Sequence, residues 1–390
     1  MTAGPYAPPA PDRELTVTSA DGATLHARVH LPPSVGAPSS PPTVVLSHGW
    51  TCSTAFWAPV VRDLAADHKV VLYDQRGHGR SPAAVPEGHS TTALADDLVA
   101  VLDATLEPGE RAVLVGHSMG GMTLMAAAER PQVRERAAAV LLCSTGSADL
   151  AAEARVIPLR SWGARRVAHK ALLSSRAPLG PVTPVTKRLL KYATMGPHAT
   201  PEQVEACARI VHACPVGVRA RWGHVLGSLD LTGGAARLDV PTAVIAGTAD
   251  RLTPIVLARR LASVLPQFLG LTELPGAGHM TPMEEPDAVV RRIRELVRDH
   301  LLGGGERDHL LGGGERGAAA GGSEDRAARP GDRRSRTAVP EKGQETPQEA
   351  VPEKGRQTSQ EAVPEKGRQT SQEAVPEKGR QTSQEAVPEK

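Results

Sequence analysis

The chain has 390 residues, 40% of them hydrophobic and only 2% aromatic, with a formal net charge of +2. That length holds one large domain or two ordinary ones, with a core built mainly from Ala, Val and Leu. Charge this close to balance gives no global signal for nucleic acid or for an acidic tail partner.

In chain order, eight short runs read as strands: "ELTVTS", "TLHARVHL", "TVVLSH", "HKVVLYD", "RAVLVGH", "AAAVLLCST", "TAVIAGT" and "LGLTEL". Several are continuously apolar, as in a sheet buried on both faces. The first two are joined by "SADGA", where Asp-Gly favours a hairpin. Amphipathic helices fall between strands, as in "TTALADDLVAVLDATL" from Thr91 and "PIVLARRLASVLP" from Pro254. "PDAVVRRIRELVRDHLL" opens on Pro286, a favourable first-turn residue. Alternating strands and helices predict an α/β fold: a doubly wound, mostly parallel eight-stranded sheet that begins with an antiparallel pair.

The alternation stops between Ser147 and Ala236, where every pattern is helical. "TPEQVEACARIVHAC" carries a capping box, Thr200 with Gln203, and Pro201 in the first turn. This block is rich in Lys and Arg and reads as a helical insertion, its excess charge lying on solvated faces or toward an anionic partner. Beyond residue 302 the chain is repetitive. "DHLLGGGER" occurs in tandem at Asp299 and Asp308, and a unit "AVPEKGRQTSQE" recurs from Ala338. This polar material buries too little apolar surface to offset ordering entropy and is expected to be disordered. The expected division is therefore a core over 1–146 and 237–302, an inserted cap over 147–236 and a tail over 303–390.

The N-terminus, "MTAGPYAPPAPDRE", lacks the basic and apolar regions of a secretion signal. No apolar run approaches the roughly 20 residues of a membrane span, so a cytoplasmic protein without an integral membrane segment is expected. Cys52, Cys143, Cys207 and Cys214 form no C-x-x-C pair and no metal spacing, and read as buried free thiols. Cys207 and Cys214 read as two turns apart on one helix, roughly 10 Å, too far for a disulfide.

The chemistry centres on "LVGHSMGGMT", which places Ser118 between a strand and a helix. A strand-to-helix elbow strains the serine backbone, needs small neighbours, and aims the helix N–H groups where an oxyanion would form. A serine hydroxyl needs a base, and the base an orienting acid. "GTADRLTP" offers Asp250 just past a strand, and "GAGHM" offers His279 in a glycine-rich loop after the next. Asp149 in "GSADLAAEA" is the rival acid, although it reads as an N-cap. A second oxyanion donor follows the third strand in "SHGW": the N–H of Trp50, to pair with that of Met119. His48, His78 and His117 read as structural or lining groups, and Asp74 and Arg76 as braces of their turn. Trp57, Trp162 and Trp222 suit core packing or the lining of a shelter under the cap.

Residues from about 14 to 302 resemble the α/β-hydrolase fold family. The marks are "SHGW", "YDQRGHGRS" from Tyr73 to Ser81, "GHSMGG", "GTADRLTP" and "GAGHM", in that order. The resemblance implies a nucleophile at Ser118, an acid at Asp250, a base at His279, oxyanion donors at Trp50 and Met119, and a lid formed by the helical block. It implies a serine hydrolase for a small-molecule carboxylic ester, with no cofactor and no metal. The oxyanion stretch is not the HGGG type of some esterases. A serine at the elbow argues against haloalkane dehalogenases and epoxide hydrolases, whose nucleophile is a carboxylate. Esterase, lipase, lactonase, C–C hydrolase and cofactor-free perhydrolase stay open, as does a triad-retaining ligand receptor with slow turnover. The residues leave the oligomeric state open.

Overall fold

The eight apolar runs form the strands β1 (Arg13–Thr18), β2 (Thr24–His30), β3 (Thr43–Ser47), β4 (Lys69–Tyr73), β5 (Ala112–His117), β6 (Ala137–Cys143), β7 (Thr242–Gly247) and β8 (Phe268–Leu274) of a computed structural model. The structure describes residues 4–33, 40–83 and 88–303. The repeat-bearing tail from residue 304, expected to be disordered, lies outside the described residues. All eight strands join one sheet in the order β1-β2-β4-β3-β5-β6-β7-β8. β1 pairs antiparallel with β2 across the expected turn, Thr18 opposite Thr24. β2 is also antiparallel to β4, and every later pairing is parallel. β2 is thus the one reversed strand.

The continuous apolar runs are explained by two separate cores, one per face. Along β5, Leu114 enters one layer while Val113 and Val115 enter the other; along β6, Val140 and Leu142 oppose Ala139 and Leu141. This is the two-residue period of a strand with helices on both sides. The helices before the insertion are α1 (Ala58–Leu64), α2 (Thr91–Thr105), α3 (Met119–Ala126) and α4 (Pro131–Arg136). Between β6 and β7 lie α5 (Leu150–Glu153), α6 (Trp162–Leu173), α7 (Pro184–Thr194), α8 (Pro201–Ala213), α9 (Val216–Leu226) and α10 (Thr232–Ala236). The chain closes with α11 (Ile255–Ala262), α12 (Thr281–Glu284) and α13 (Pro286–His300). Leu98, Met122 and Leu261 seal one face from α2, α3 and α11; Val61, Ile293 and Val297 seal the other from α1 and α13. Each such side chain is worth about 1.5–3 kcal/mol when fully buried.

The inserted helices are fixed locally by their caps. Thr200 and Gln203 form the expected reciprocal box on α8, and Thr183 with Thr186 forms a second on α7. A single antiparallel bridge, Ala148 to Asp230, joins the two ends of the insertion. α8 ends at Ala213, so Cys214 caps it with extended backbone and is not on the same helix as Cys207. All four cysteines are buried and free.

Candidate active site

The sheet's C-terminal edge gathers the residues singled out from the sequence. Ser118 alone makes the turn from β5 to α3, at φ 51 and ψ −115. A positive φ at a non-glycine residue costs of order 1–3 kcal/mol and persists only where the surroundings over-determine it. Here they do. A Cβ on Gly116 would lie 2.5 Å from the Gly120 carbonyl, and one on Gly120 would lie 2.1 Å from the Ser47 oxygen. The two glycines are therefore required by close backbone approach. Ser118 N–H donates to Cys143 O at 2.9 Å, and Thr145 Oγ1 donates to Ser118 O at 2.8 Å, fixing the elbow from the β6 side.

His279 Nδ1 lies 2.8 Å from Asp250 Oδ2. Asp250 Oδ1 accepts the N–H groups of Leu252 at 2.7 Å and Thr253 at 2.9 Å, while Thr253 Oγ1 donates to Oδ2 at 2.7 Å. Burial alone would raise this carboxyl's pKa; the His279 charge and hydrogen bond, with those of Thr253, outweigh it and hold the pKa below the usual range. An ionised carboxylate only accepts, so the proton between the two groups sits on Nδ1, leaving Nε2 as the ring's free acceptor when neutral. Asp149 is placed elsewhere. Its side chain is 53% exposed, 3.7 Å from Arg260. It stands at the N-cap position of α5, as read from the sequence, in a left-handed conformation, and its carbonyl accepts from Glu153 N–H at 3.0 Å, but its side chain makes no capping bond. Ser118 and His279 line one cavity, although no hydrogen bond joins Ser118 Oγ to His279 among the described residues.

The His279 loop is clamped by a residue the sequence reading missed. Glu284, on α12, accepts N–H groups from Gly278 and Met280, each at 3.0 Å, and from Gly196 at 2.7 Å. One carboxylate thus grips the chain on both sides of His279 and ties it to the segment after α7. Burial raises the Glu284 pKa despite these donors. His117 Nε2 donates to His279 O at 2.9 Å. Burial drives the His117 pKa well down, so this ring is a neutral prop.

The loop after β3 is held by two more neutral imidazoles. His48 Nδ1 donates to Gly49 O at 2.8 Å, and its Nε2 accepts the Gln75 N–H at 3.0 Å. His78 Nε2 accepts the Thr51 N–H at 3.2 Å, and burial takes its pKa down to about 3. The Gln75 side chain donates to His48 O. Trp50 Nε1 donates to Arg219 O at 3.0 Å, fixing the residue between them. No backbone hydrogen bond in the described loops engages the N–H of Trp50 or of Met119. Beneath, Asp74 accepts N–H groups from Thr54 at 2.6 Å and Arg80 at 3.0 Å. Burial would raise its pKa, but the His26 ring, 3.4 Å away, and those N–H donors bring it down to about 2. Arg76 is fully buried and bonds Asp97, Asp21 and Gly88 O, so both residues brace the turn as expected.

These loops floor a cavity of about 310 Å³ whose roof comes from the inserted segment: Leu150, Leu172 and Leu190 on its helices and Leu179 between α6 and α7. Its walls are mainly apolar, with Ser118, Thr51, His279 and Arg219 among the polar exceptions. Trp50 lines it. Trp57 and Trp222 are in the core, whereas Trp162 is 45% exposed, with the Arg166 guanidinium 5.7 Å from its ring centre. No cluster of three His, Cys, Asp or Glu residues with metal-binding geometry occurs among the described residues. No described helix is long and apolar enough to cross a membrane.

A sequence model of the alpha/beta hydrolase family matches residues 44–292. The chain belongs to this family. It is therefore a hydrolase. A Variovorax paradoxus protein named "Putative carbamate hydrolase RutD" is 34% identical over 276 residues, covering 70% of this chain and 96% of that protein. Among solved structures, an esterase from Thermogutta terrifontis aligns at TM-score 0.57 and 24% identity, over 73% of this chain and 98% of that one. An enol-lactonase from Burkholderia xenovorans aligns at TM-score 0.58 and 24% identity, over 74% of this chain and all (100%) of that one. At these identities the two structures establish the fold alone.

Within the family frame, Glu284 and Gln75 act at a distance from any motif's centre. Their signal in the sequence is slight: an acid in "HMTPMEEP", and the residue after Asp74 in "YDQRGHG".

Proposed function

We propose that this hydrolase cleaves carboxylic esters through a covalent acyl-enzyme. Ser118 Oγ attacks the carbonyl carbon as His279 Nε2 takes the hydroxyl proton. Asp250 fixes the imidazole tautomer and stabilises the imidazolium. The N–H groups of Trp50 and Met119 receive the tetrahedral oxyanion. Collapse expels the alcohol, protonated by His279; the same ring then deprotonates a water that releases the acid. No step needs a cofactor or metal. The α5–α10 segment serves as the cap, and the apolar cavity beneath it suits a lipophilic acyl or alkyl group.

The observation that carries this reading is the Asp250–His279 hydrogen bond on the same cavity wall as a strained serine. A carbamate is the second reading, supported by the name of the 34% identical relative; the same attack on a carbamate ester would expel the alcohol and leave a carbamoyl-enzyme, which water resolves to a carbamic acid that breaks down to an amine and carbon dioxide.

The test uses a fluorophosphonate probe and a p-nitrophenyl ester series from acetate to palmitate, beside an aryl carbamate. Labelling at Ser118, a burst of p-nitrophenol and rapid steady turnover of esters are expected. Faster turnover of the carbamate would move the assignment to the second reading. Labelling with almost no turnover of either would favour a ligand receptor, and absence of labelling would reject the nucleophile.

A further inference from the structure

Beyond the catalytic loops lies the stretch of residues 154–201, which holds α6 and α7. It contains nine Lys or Arg (Arg155, Arg160, Arg165, Arg166, Lys170, Arg176, Lys187, Arg188, Lys191) and no Asp or Glu. Of these cations, only Lys187 has an ion-pair partner among the described residues, Glu205 on α8. The same stretch carries nine of the thirteen large hydrophobic side chains exposed among the described residues. Single exposed apolar residues need no explanation, but a gathering of them marks a binding face. On α7, Val185 is 68% exposed and Leu189 is 63% exposed, with Tyr192 in line at 44%. Their i, i+4, i+7 spacing makes a stripe along one helix face, turned to solvent instead of the core. Lys187, Arg188 and Lys191 lie beside that stripe in the same helix.

We propose that this segment binds the surface of an anionic lipid bilayer, with the α7 stripe entering the headgroup boundary and the cations facing the lipid charge. The chemistry is that of an interfacial amphipathic helix: an apolar face, a basic flank and an aromatic ring at the water boundary. A second copy of the chain fits poorly, because a two-fold contact would set cations against cations with no acid within residues 154–201 to pair them. The surface is continuous with the cavity: Leu172 and Leu179 are exposed and also line it. Under the ester-hydrolase reading, on which this extension rests, a lipophilic substrate would pass from the bilayer to Ser118 without crossing bulk water.

The test is flotation of the full chain with phosphatidylcholine vesicles and with mixed phosphatidylcholine–phosphatidylglycerol vesicles at low ionic strength. Binding to the mixed vesicles only, weakened by salt, is expected. Val185→Ser combined with Leu189→Ser, and separately Arg188→Glu, should each lower the partition coefficient at least about tenfold. Both variants should hydrolyse a soluble short-chain ester as the parent does, since none of these residues lines the cavity. Absence of flotation by the parent chain, or equal flotation of parent and variants, would overturn the proposal. So would a lipid-free dimer that Leu189→Ser dissociates, because the stripe would then be a subunit contact. Vesicle binding without ester turnover would leave the surface standing and reject the hydrolytic reading alone.

Discussion

The sheet edge and the helices above it are built by different rules. On the sheet side every residue of β5 and β6 is buried, and the loops that follow are pinned by buried polar groups: His48, His78 and Asp74 under Trp50, Glu284 around His279. On the helical side, α6 buries only His169, and α7 only Thr194. The first region holds a strained serine at a fixed angle because many partners over-determine it. The second rests on end caps and a few contacts, the condition in which helices open at low free-energy cost. On the proposed reading, geometry for bond-making is kept where packing is dense, and the surface proposed to meet the bilayer where packing is thin.

The sharpest way to break that division is to attack the proposed machinery on the dense side. Ser118→Ala should lower kcat on a soluble ester by about 10⁴- to 10⁶-fold with the melting temperature preserved, the residual rate coming from binding and the oxyanion donors. A purified variant with near-parental kcat would remove the nucleophile from Ser118. Asp250→Asn should cost roughly 10³- to 10⁴-fold in kcat. Asp149→Asn should cost less than about tenfold, because a half-exposed carboxylate beside an arginine contributes little. Steady-state kinetics on the pair decides between them, and a reversed order would transfer the acid's role to Asp149.

Glu284→Gln sharpens the comparison one layer out. An amide cannot accept at all three N–H groups that Glu284 engages, and its own NH₂ would face one of them. Loosening the His279 loop should reduce kcat by about 10²-fold, on the scale of a misplaced catalytic group, with KM changed much less. A parallel rise in KM with unchanged kcat would instead assign Glu284 to the substrate wall.

Asp74 tests whether the dense side depends on its buried charge. Its pKa is brought from the ordinary 3.8 to about 2. A depressed carboxylate stabilises the fold above its unfolded pKa, and that contribution disappears as pH falls through the folded value. Asp74→Asn should therefore lose about 2 kcal/mol at neutral pH. The gap from the parent should close between about pH 4 and pH 2 in denaturant titrations. A gap independent of pH would show that shape alone, not charge, matters there.

The smallest effect is expected outside both regions. A chain ending at Gly303 should match the full chain in kcat and melting temperature, because the repeats carry few apolar residues. A fall of several degrees on truncation would mean that the tail packs on the domain.

What the sequence determined by itself is local. Two-sided apolar runs announced the buried strands, Asp-Gly the first hairpin, and Thr200 with Gln203 the start of α8, because each depends on residues a few positions apart. The glycines around Ser118 announced an elbow for the same reason. Pairing across the chain was another matter. Neither the insertion of β4 between β2 and β3 nor the single reversal at β2 leaves a periodic trace. The separation of Asp250 from Asp149 was settled by where strand order carries their loops: one carboxylate lies against His279, the other out beside Arg260. Glu284, Gln75 and the tautomers of His48 and His78 belong to the tertiary structure alone, since a buried polar group takes its role from whichever donor or acceptor packing leaves within about 3 Å.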